Sequence, residues 1–160
     1  MITPTIRPMT GNDKPVIMRI LQQTPEFEPE EVVVAEEVID DYLEDSVNSG
    51  YHILVAQIDS LPAGYICYGT VPMTRGTWDM YWLAVDSVQQ TRGIGNALLL
   101  SAEEDIEKRK GRLILIETSS KPSYEKTRRF YRARDYELIC RIDDFYSPGD
   151  NRVIFQKRLQ

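Results

Sequence analysis

The segment QTRGIGN, residues Gln90–Asn96, lies between two stretches of regular pattern and decides the fold of this chain. The residues before it, 78–85, read WDMYWLAV and predict a strand, and those after it, 97–110, read ALLLSAEEDIEKRK and predict a helix. A helix that begins after a tight glycine corner directs several free N–H groups and a partial positive charge towards one point. Such a point binds anions, most often phosphate, and Gly93 and Gly95 would allow the backbone to approach one closely. Two glycines alone are equally typical of a plain turn without a ligand.

The whole chain has the composition of an ordinary globular protein. Its 160 residues suffice for a hydrophobic core, and we expect a single domain over residues 1–160. Hydrophobic residues make up 42% and charged residues 28%, while a net charge of -6 argues against a broad nucleic-acid-binding face. A basic cluster at 127–134, TRRFYRAR, still permits local binding of an anionic group.

Targeting signals and metal ligands do not stand out in the sequence. The first residues lack the apolar stretch of a signal peptide, and no apolar run approaches the roughly 18 residues of a membrane span. Cys67 and Cys140 lie in apolar, strand-like runs, which fits a reducing cytoplasm rather than a disulfide framework. With His52 as the one histidine and no Cys/His cluster, we expect no metal site. We therefore expect a cytoplasmic protein with neither a membrane nor a nucleic acid as partner.

The hydrophobic pattern predicts a mixed α/β fold. The order of elements is β-α-α-β-β-β-α-β-α-β-β, with antiparallel strands in the front half, a β-α-β-α crossover in the middle and a closing hairpin. Helices are predicted after Asp13, at 29–47, at 93–110 and after the Ser-Lys-Pro segment 120–122, and strands at 3–9, 51–58, 65–73, 77–86, 112–119, 136–142 and 151–159.

A dinucleotide-binding fold is one reading of the glycine segment. Gly93, Gly95 and the acid Glu117, about 20 residues further on, imitate its fingerprint. The third glycine position holds Leu98, however, and the glycines follow several earlier strands instead of opening the first βαβ unit. A Walker-type phosphate loop is excluded because no Gly-Lys-Ser/Thr follows.

A second reading accounts for more residues. The run LAVDSVQQTRGIGNALL resembles the acetyl-CoA motif of the GNAT (Gcn5-related) N-acetyltransferases, with Gln90, Gly93 and Gly95 in the pattern Gln/Arg-x-x-Gly-x-Gly/Ala. The later block ETSSKPSYEKTRRFYRARDYEL is similar to the strand–helix segment of that family, and the order of elements matches its fold over nearly the whole chain. Asp135 stands where the family usually has a corner glycine before Tyr136. Aspartate tolerates the left-handed conformation better than most residues, so we expect the corner to persist.

The resemblance implies a site for acetyl-CoA. The backbone N–H groups of the glycine segment would hold the pyrophosphate, and the strand before that segment would splay from its parallel neighbour to admit the pantetheine arm. A backbone N–H on that strand would also stabilise the oxyanion. Tyr124 stands where relatives often have an asparagine that touches the cofactor. The cofactor-binding residues so implied are Leu83, Ala84, Val85, Thr91, Arg92, Gly93, Ile94, Gly95, Asn96 and Tyr124.

The resemblance also implies two catalytic residues. Tyr131 matches the family tyrosine that faces the thioester sulfur, where a phenol can protonate the departing thiolate. The attacking amine must be neutral, and Glu117 lies at a strand end where some relatives have their base. Asp79 with Tyr81, Asp143 and Asp144 are the alternatives near the acceptor. Cys67 has no visible histidine partner and is expected in the core instead.

The acceptor is predicted only as a class. The densely acidic segment 22–45 would border the acceptor site and favour cationic amines, although a solvated helix face explains it equally. The hypothesis is direct transfer of the acetyl group from acetyl-CoA to a primary amine. The acceptor is a small molecule, or a lysine or N-terminal amine. Many relatives are homodimers, so a homodimer is expected here as well. A non-catalytic acyl-CoA-binding sensor domain and a larger acyl donor are the alternatives. Four aromatic residues have two possible locations, the wall of the acceptor site or the hydrophobic core: Trp78, Tyr81, Phe145 and Tyr146.

Overall fold

The computed structural model describes residues 3–160 and contains the elements in the predicted order. The four helices are α1 (Lys14–Gln23), α2 (Pro29–Glu44), α3 (Ile94–Lys108) and α4 (Glu125–Arg132). The seven strands are β1 (Thr5–Pro8), β2 (Tyr51–Ile58), β3 (Leu61–Thr70), β4 (Thr77–Val85), β5 (Leu113–Ser119), β6 (Glu137–Ser147) and β7 (Asp150–Arg158).

All seven strands belong to one mixed sheet in the order β1-β2-β3-β4-β5-β7-β6. Neighbours pair antiparallel except β4 and β5, which run parallel and are connected through α3. The predicted fold class, with its antiparallel front half, central crossover and closing hairpin, is confirmed.

Each face of the sheet has its own hydrophobic cluster. On one face α3 packs with Leu98, Leu99 and Ala102 against strands from β2 to β7. On the other face α1 and α2 pack with residues such as Ile17 and Ile39 against β2, β3 and β4. Because side chains alternate along each strand, a central strand contributes residues to both clusters, and it is therefore apolar throughout.

The strands β4 and β5 separate halfway along their length. Their parallel pairing covers Thr77–Met80 and ends there, while β4 continues to Val85 and β5 to Ser119. A register shift against β3 falls at Tyr81, because Met80 pairs with Tyr68 and Trp82 with Cys67. A bulge of this kind bends the strand, and here it coincides with the start of the opening.

Some element bounds differ from the predicted ones. Strand β3 begins at Leu61 because Asp59 and Ser60 both adopt positive φ (49° and 66°), which allows a two-residue turn in place of the longer predicted loop. Strand β6 extends to Ser147 although Asp143 and Asp144 have low strand propensity. Its pairing with β7 is irregular between Ile142 and Ser147, where Asp144 has φ 55° and its N–H donates to the side chain of Asn151 over 2.9 Å.

The corner after α4 has the expected geometry. Asp135 has φ 67°, and the N–H of Tyr136 donates to the carbonyl of Tyr131 over 3.1 Å. Aspartate therefore occupies the left-handed position that a glycine would fill more easily. The turn keeps Tyr131 and Tyr136 in edge-to-face contact, with ring centroids 5.6 Å apart.

Candidate active site

A cavity of about 870 Å³ opens where β4 and β5 separate. Its walls are the connection between α1 and α2, the second half of β4, the glycine segment, the end of β5, helix α4 and the tip of the β6–β7 hairpin. The opening exists because the backbone groups of β4 after Met80 have no partner on β5. It therefore offers both an extended strand edge and a helix N-terminus to a ligand.

The glycine segment forms one end of this cavity. Thr91 and Gly93 have positive φ (67° and 80°), and Gly93 is the N-cap of α3. The first helical bond within this turn is donated by Ala97 to the carbonyl of Gly93, so the N–H groups of Ile94, Gly95 and Asn96 have no partner inside the helix. All of these residues except Ala97 line the cavity. The segment thus has the backbone geometry of an anion site.

The two glycines differ in what the structure demands of them. A Cβ on Gly93 would meet nothing within 4 Å, so the demand at this position is conformational. A Cβ on Gly95 would lie 3.4 Å from the ring of Phe130 and 3.7 Å from Val85, which are ordinary van der Waals distances. The protein packing around Gly95 therefore admits a small side chain.

Three cationic side chains line the same end: Arg92, Lys126 and Arg134. Arg92 donates to Gln89 over 3.2 Å and Lys126 to Gln90 over 3.0 Å. Arg134 lies 3.8 Å from the centroid of the Phe130 ring, and its Nε donates to the side chain of Asn96 over 2.7 Å. The sequence flagged the basic cluster that contains Arg134 but did not single out Arg134 or Lys126.

The strand edge predicted for the pantetheine arm also lines the cavity. Leu83, Ala84 and Val85 follow the end of the β4–β5 pairing, and Ala84 is buried. The carbonyl of Val85 accepts a hydrogen bond from the side chain of Gln90 over 3.3 Å. This bond ties the end of β4 to the beginning of the glycine segment.

Tyr131 lies inside the cavity on the inner face of α4. Its ring is buried against Phe130 and Tyr136, and its hydroxyl makes no hydrogen bond to any residue in the described range 3–160. Burial raises the pKa of the phenol well above its ordinary value. The hydroxyl therefore stays protonated and is available as a donor.

Glu117 lies at the end of β5, on the opposite wall from α4. It forms an ion pair with Arg152 of β7, and the Arg152 guanidinium lies 4.7 Å from the centroid of the Phe145 ring. The side chain of Glu117 is 41% exposed and lines the cavity, so solvent and ligands can reach it. Arg152 follows Glu117 by 35 positions, and no sequence pattern pointed to the pair.

The alternative carboxylates lie elsewhere. Asp79 is half-buried on β4 outside the cavity lining, and burial raises its pKa while Arg152 opposes the rise. Asp143 pairs with Arg141 over 2.7 Å on the exposed strand β6. Asp144 accepts from the N–H of Gly149 over 2.7 Å and shapes the hairpin. We carry none of the three forward as a group that contacts the reacting atoms.

The end of the cavity opposite the glycine segment is acidic and aromatic. Tyr124, for which the resemblance implied a contact with the cofactor, lines this end and directly precedes α4; its hydroxyl donates to the carbonyl of Glu26 over 2.5 Å, which ties the start of α4 to the connection before α2. The pKa of Tyr124 is raised mainly by burial and further by nearby carboxylates, and that of Tyr146 is raised by burial and by Asp150 and Glu31. Lys121 also lines the cavity and pairs with Asp150 over 3.4 Å. Four carboxylates line this end, from the α1–α2 connection, the first turn of α2 and the start of β7: Glu26, Glu28, Glu31 and Asp150.

Two of the four predicted aromatic residues line the cavity. Tyr81 and Tyr146 do, and Phe145 packs edge-to-face on Tyr146 with ring centroids 5.0 Å apart. Trp78 is buried in the core against His52 and Tyr68, on the α3 face of the sheet. Of the two interpretations of Trp78, the structure agrees with core packing, because Trp78 lies in the half of β4 that is still paired with β5, before the opening.

Comparison with known proteins agrees with this geometry. Residues 49–138 match the acetyltransferase (GNAT) domain. A solved GNAT-family protein from Desulfovibrio desulfuricans is 36% identical, with a TM-score of 0.94 over 98% of this chain and 99% of its own. The ribosomal-protein-S18-alanine N-acetyltransferase from Escherichia coli has a TM-score of 0.78 at 17% identity, over 99% of this chain and 95% of its own. An aminoglycoside 6'-N-acetyltransferase solved with coenzyme A has a TM-score of 0.75 at 17% identity, over 96% of each chain. A search of curated proteins found no significant match.

The chain belongs to the GNAT family, and fold and family together define it as an acetyltransferase. Within the described residues no helix is long and apolar enough to cross a membrane. The same range contains no group of three or more His, Cys, Asp or Glu side chains arranged to hold a metal ion.

Proposed function

We propose that this protein transfers the acetyl group of acetyl-CoA directly to a primary amine of a small cationic molecule, in a ternary complex. The observation that carries the proposal is that an anion-binding helix N-terminus, an open strand edge and a buried free phenol line one cavity. The matches to GNAT acetyltransferases support the transfer chemistry, and the names of two relatives with amine acceptors support the acceptor class.

The cofactor end suits the diphosphate and the extended arm of acetyl-CoA. The backbone from Thr91 to Asn96 offers N–H donors and the positive end of α3 to the diphosphate. Arg92, Lys126 and Arg134 add positive charge along the same wall. The free edge of β4 from Leu83 to Val85 offers backbone groups to the amides of the arm, as an added strand would use them.

Acetyl transfer requires two actions of this chain at the thioester. The free edge of β4 donates an N–H to the carbonyl oxygen that becomes negative when the amine attacks. Tyr131 then donates its hydroxyl proton to the sulfur that leaves as the C–S bond breaks and the C–N bond remains. The neutral thiol and the acetamide are the products, and solvent restores the proton of Tyr131.

A carboxylate must receive the proton that the amine loses. An alkylammonium with a pKa of about 10.4 is neutral in only about one molecule in a thousand at pH 7. Glu117 faces the cavity from the wall opposite α4, and Arg152 fixes its orientation. We assign the proton acceptance to Glu117, directly or through one water molecule.

The acceptor end favours a positively charged molecule. Carboxylates from the α1–α2 connection and from Asp150 surround the phenols of Tyr124 and Tyr146. Carboxylates attract cations through space, and phenol rings bind them over their faces. An amine that carries a second positive charge would use both, with its reacting nitrogen near Glu117.

The first test is thermal unfolding with acetyl-CoA, CoA or NAD at about a hundred times an expected Kd. One-site binding at this ratio adds roughly 2.7 kcal/mol to the stability of the folded state. A chain of this size should then unfold about 5–10 °C higher with acetyl-CoA and with CoA. A rise with NAD alone would contradict the proposal.

The competing function is an acyl-CoA-binding sensor without turnover. Tyr131 and Glu117 would be unnecessary in such a protein, and both line the cavity, which favours the enzyme. The enzyme and the sensor are distinguished by measuring thiol release over a panel of mono- and dicationic amines, with acetyl-, propionyl- and succinyl-CoA as donors. Stabilisation by CoA together with no thiol release from any pair would favour the sensor.

A further inference from the structure

A buried carboxylate that the proposed mechanism does not use lies behind the cavity wall. Glu103 of α3 is only 6% exposed and is not among the residues that line the cavity. Its two oxygens accept hydrogen bonds from the ammonium of Lys157 on β7 over 3.2 and 3.0 Å. One of these oxygens also accepts a hydrogen bond from the hydroxyl of Tyr136 over 2.8 Å. We call these three residues the Glu103 cluster: Glu103, Tyr136 and Lys157.

The Glu103 cluster contacts Tyr131 in two ways, both through Tyr136. The N–H of Tyr136 donates to the carbonyl of Tyr131 over 3.1 Å, across the corner at which Asp135 has φ 67°. The ring of Tyr136 is buried and meets the ring of Tyr131 edge to face, with centroids 5.6 Å apart and planes at 67°. Tyr136 therefore constrains both the backbone and the ring of Tyr131.

The direction of the Tyr131 hydroxyl depends on how its ring is packed. Within the described residues this hydroxyl has no hydrogen-bond partner, so no polar contact of its own holds it in one direction. The ring contacts Phe130 with centroids 5.2 Å apart, in addition to Tyr136. The position of these two neighbouring rings thus decides where the proton of Tyr131 points.

The hydroxyl of Tyr136 gives its ring a fixed orientation. Packing contacts between rings are weak individually and permit small displacements, whereas a hydrogen bond to a carboxylate fixes the position of one atom at the edge of the ring. The ammonium of Lys157 holds that carboxylate and lies 5.4 Å from the centroid of the Tyr136 ring. Burial, and after it the negative charge of Glu103, raise the pKa of Tyr136, so its hydroxyl keeps the proton that it donates.

Stability alone does not account for an ion pair at this place. Removing a carboxylate and an ammonium from water costs about as much as their attraction returns, and apolar side chains of similar volume stabilise a core equally well. A buried and fully hydrogen-bonded pair instead favours one arrangement of the groups around it. Here the arrangement includes the ring of Tyr136, which contacts the proposed proton donor.

We propose that the Glu103 cluster positions the phenol of Tyr131 for proton donation to the leaving thiolate. The inference rests on the proposed function, because it requires that Tyr131 is the proton donor. The three members are positioning residues that act through the ring of Tyr131, and none of them contacts the reacting atoms.

A double-mutant cycle tests whether Tyr136 acts through Tyr131. Tyr136→Phe removes the hydroxyl and leaves Glu103 paired with Lys157, so the protein should remain folded, which circular dichroism checks. Its kcat should fall about fivefold with the KM for acetyl-CoA unchanged, because a small displacement of a reacting group lowers the rate. In the Tyr131→Phe background the proton donor is already absent, so Tyr136→Phe should have no further effect on kcat. Equal losses in both backgrounds would overturn the positioning role.

Tyr68 provides the matched control. Like Tyr136, it is buried, and its hydroxyl donates to a carboxylate of α3, that of Asp105, over 2.7 Å. Its ring stacks on His52, with centroids 5.4 Å apart. Tyr68→Phe therefore removes the same kind of hydrogen bond from another part of the core, and kcat should stay within about twofold of the wild type. A loss as large as that of Tyr136→Phe would show a general loss of core order and would overturn the proposal.

The ring of Tyr131 can also be observed without turnover. Nuclear magnetic resonance of the ligand-free protein with isotope-labelled tyrosine measures how fast the ring flips, and the signal that disappears in Tyr131→Phe identifies it. The flip should be at least about threefold faster in Tyr136→Phe and unchanged in Tyr68→Phe. An unchanged flip rate in folded Tyr136→Phe would overturn this inference and leave the proposed function intact. An unchanged kcat in Tyr131→Phe would instead contradict the proposed proton donor, and this inference with it.

Discussion

The two ends of the cavity differ in the groups that they offer to a ligand. The end proposed for the cofactor offers backbone: N–H groups at the start of α3, the free edge of β4 and positive φ at Thr91 and Gly93. The end proposed for the acceptor offers side chains, chiefly carboxylates and phenols from segments far apart in the sequence. Backbone geometry persists through many substitutions, whereas side-chain recognition changes with each one. Under the proposed function, one fold would in this way keep a single donor and accept many acceptors.

The largest effect is expected where the two ends meet, at Tyr131. Tyr131→Phe removes the proton donor without changing the ring, so kcat should fall about a hundredfold with little change in the KM for acetyl-CoA. Steady-state kinetics across pH checks this, with Tyr51→Phe as a control outside the cavity. An unchanged kcat at every pH would remove Tyr131 from the mechanism.

Glu117 is the next strongest test, on the acceptor side. Glu117→Gln should lower kcat/KM for the amine about 10- to 100-fold, and the remaining activity should rise tenfold per pH unit because it depends on the free amine. Asp143→Asn is the matched control, since Asp143 is an exposed carboxylate that also pairs with an arginine. Equal losses in both variants would show a general charge effect instead of a local base.

The cofactor side is tested through the conformation of Gly93. An alanine at φ 80° costs about 1–2 kcal/mol, so Gly93→Ala should let the segment relax and weaken CoA binding about 5- to 30-fold. Gly50 has φ 82° and equally open surroundings, so Gly50→Ala carries the same strain far from the cavity. Isothermal titration with CoA should distinguish the two variants, and equal affinity for CoA in both would contradict the role of the segment.

Two substitutions that each remove one charge, one at each end of the cavity, should have smaller effects, and each should affect a different ligand. Glu26→Gln should raise the KM for a dicationic amine about threefold and leave the affinity for CoA unchanged, whereas Lys126→Gln should do the reverse. Both differences should shrink at high salt. Kinetics at two ionic strengths checks this. If both variants changed the binding of the same substrate, the proposal that each end of the cavity binds its own ligand would be contradicted.

Asp79 gives the smallest effect, on stability. Its pKa is raised, mainly by burial, so the folded state binds the proton more tightly than the unfolded state does. Stability therefore falls as the pH rises from the ordinary aspartate range through the raised pKa. Asp79→Asn should unfold about 1–3 °C above the wild type at about pH 8, with the difference vanishing at about pH 3. Thermal melts across pH check this, and a pH-independent difference would contradict it.

The fold was predictable because its signals are local. Apolar strand-like runs in β2 and β4, helical spacing in α1 and α2 and the glycine corner before α3 each lie within a short window. The extension of β6 beyond Ile142 was not predictable in this way, because the register there is irregular and Asp144 is held by a hydrogen bond to the side chain of Asn151 on β7. The sequence left open whether Trp78 fills the core or lines the site, since both faces of a central strand are apolar.

The sequence by itself determined the order of elements, the glycine corner and the family, since these depend on residues close together in the chain. Only the tertiary structure decided which side chains share the end of the cavity proposed for the acceptor. Tyr124 reaches Glu26 across 98 positions, and Glu117 meets Arg152 through the pairing of β5 with β7. Contacts of this kind depend on how the sheet brings distant segments together, and no local pattern records them.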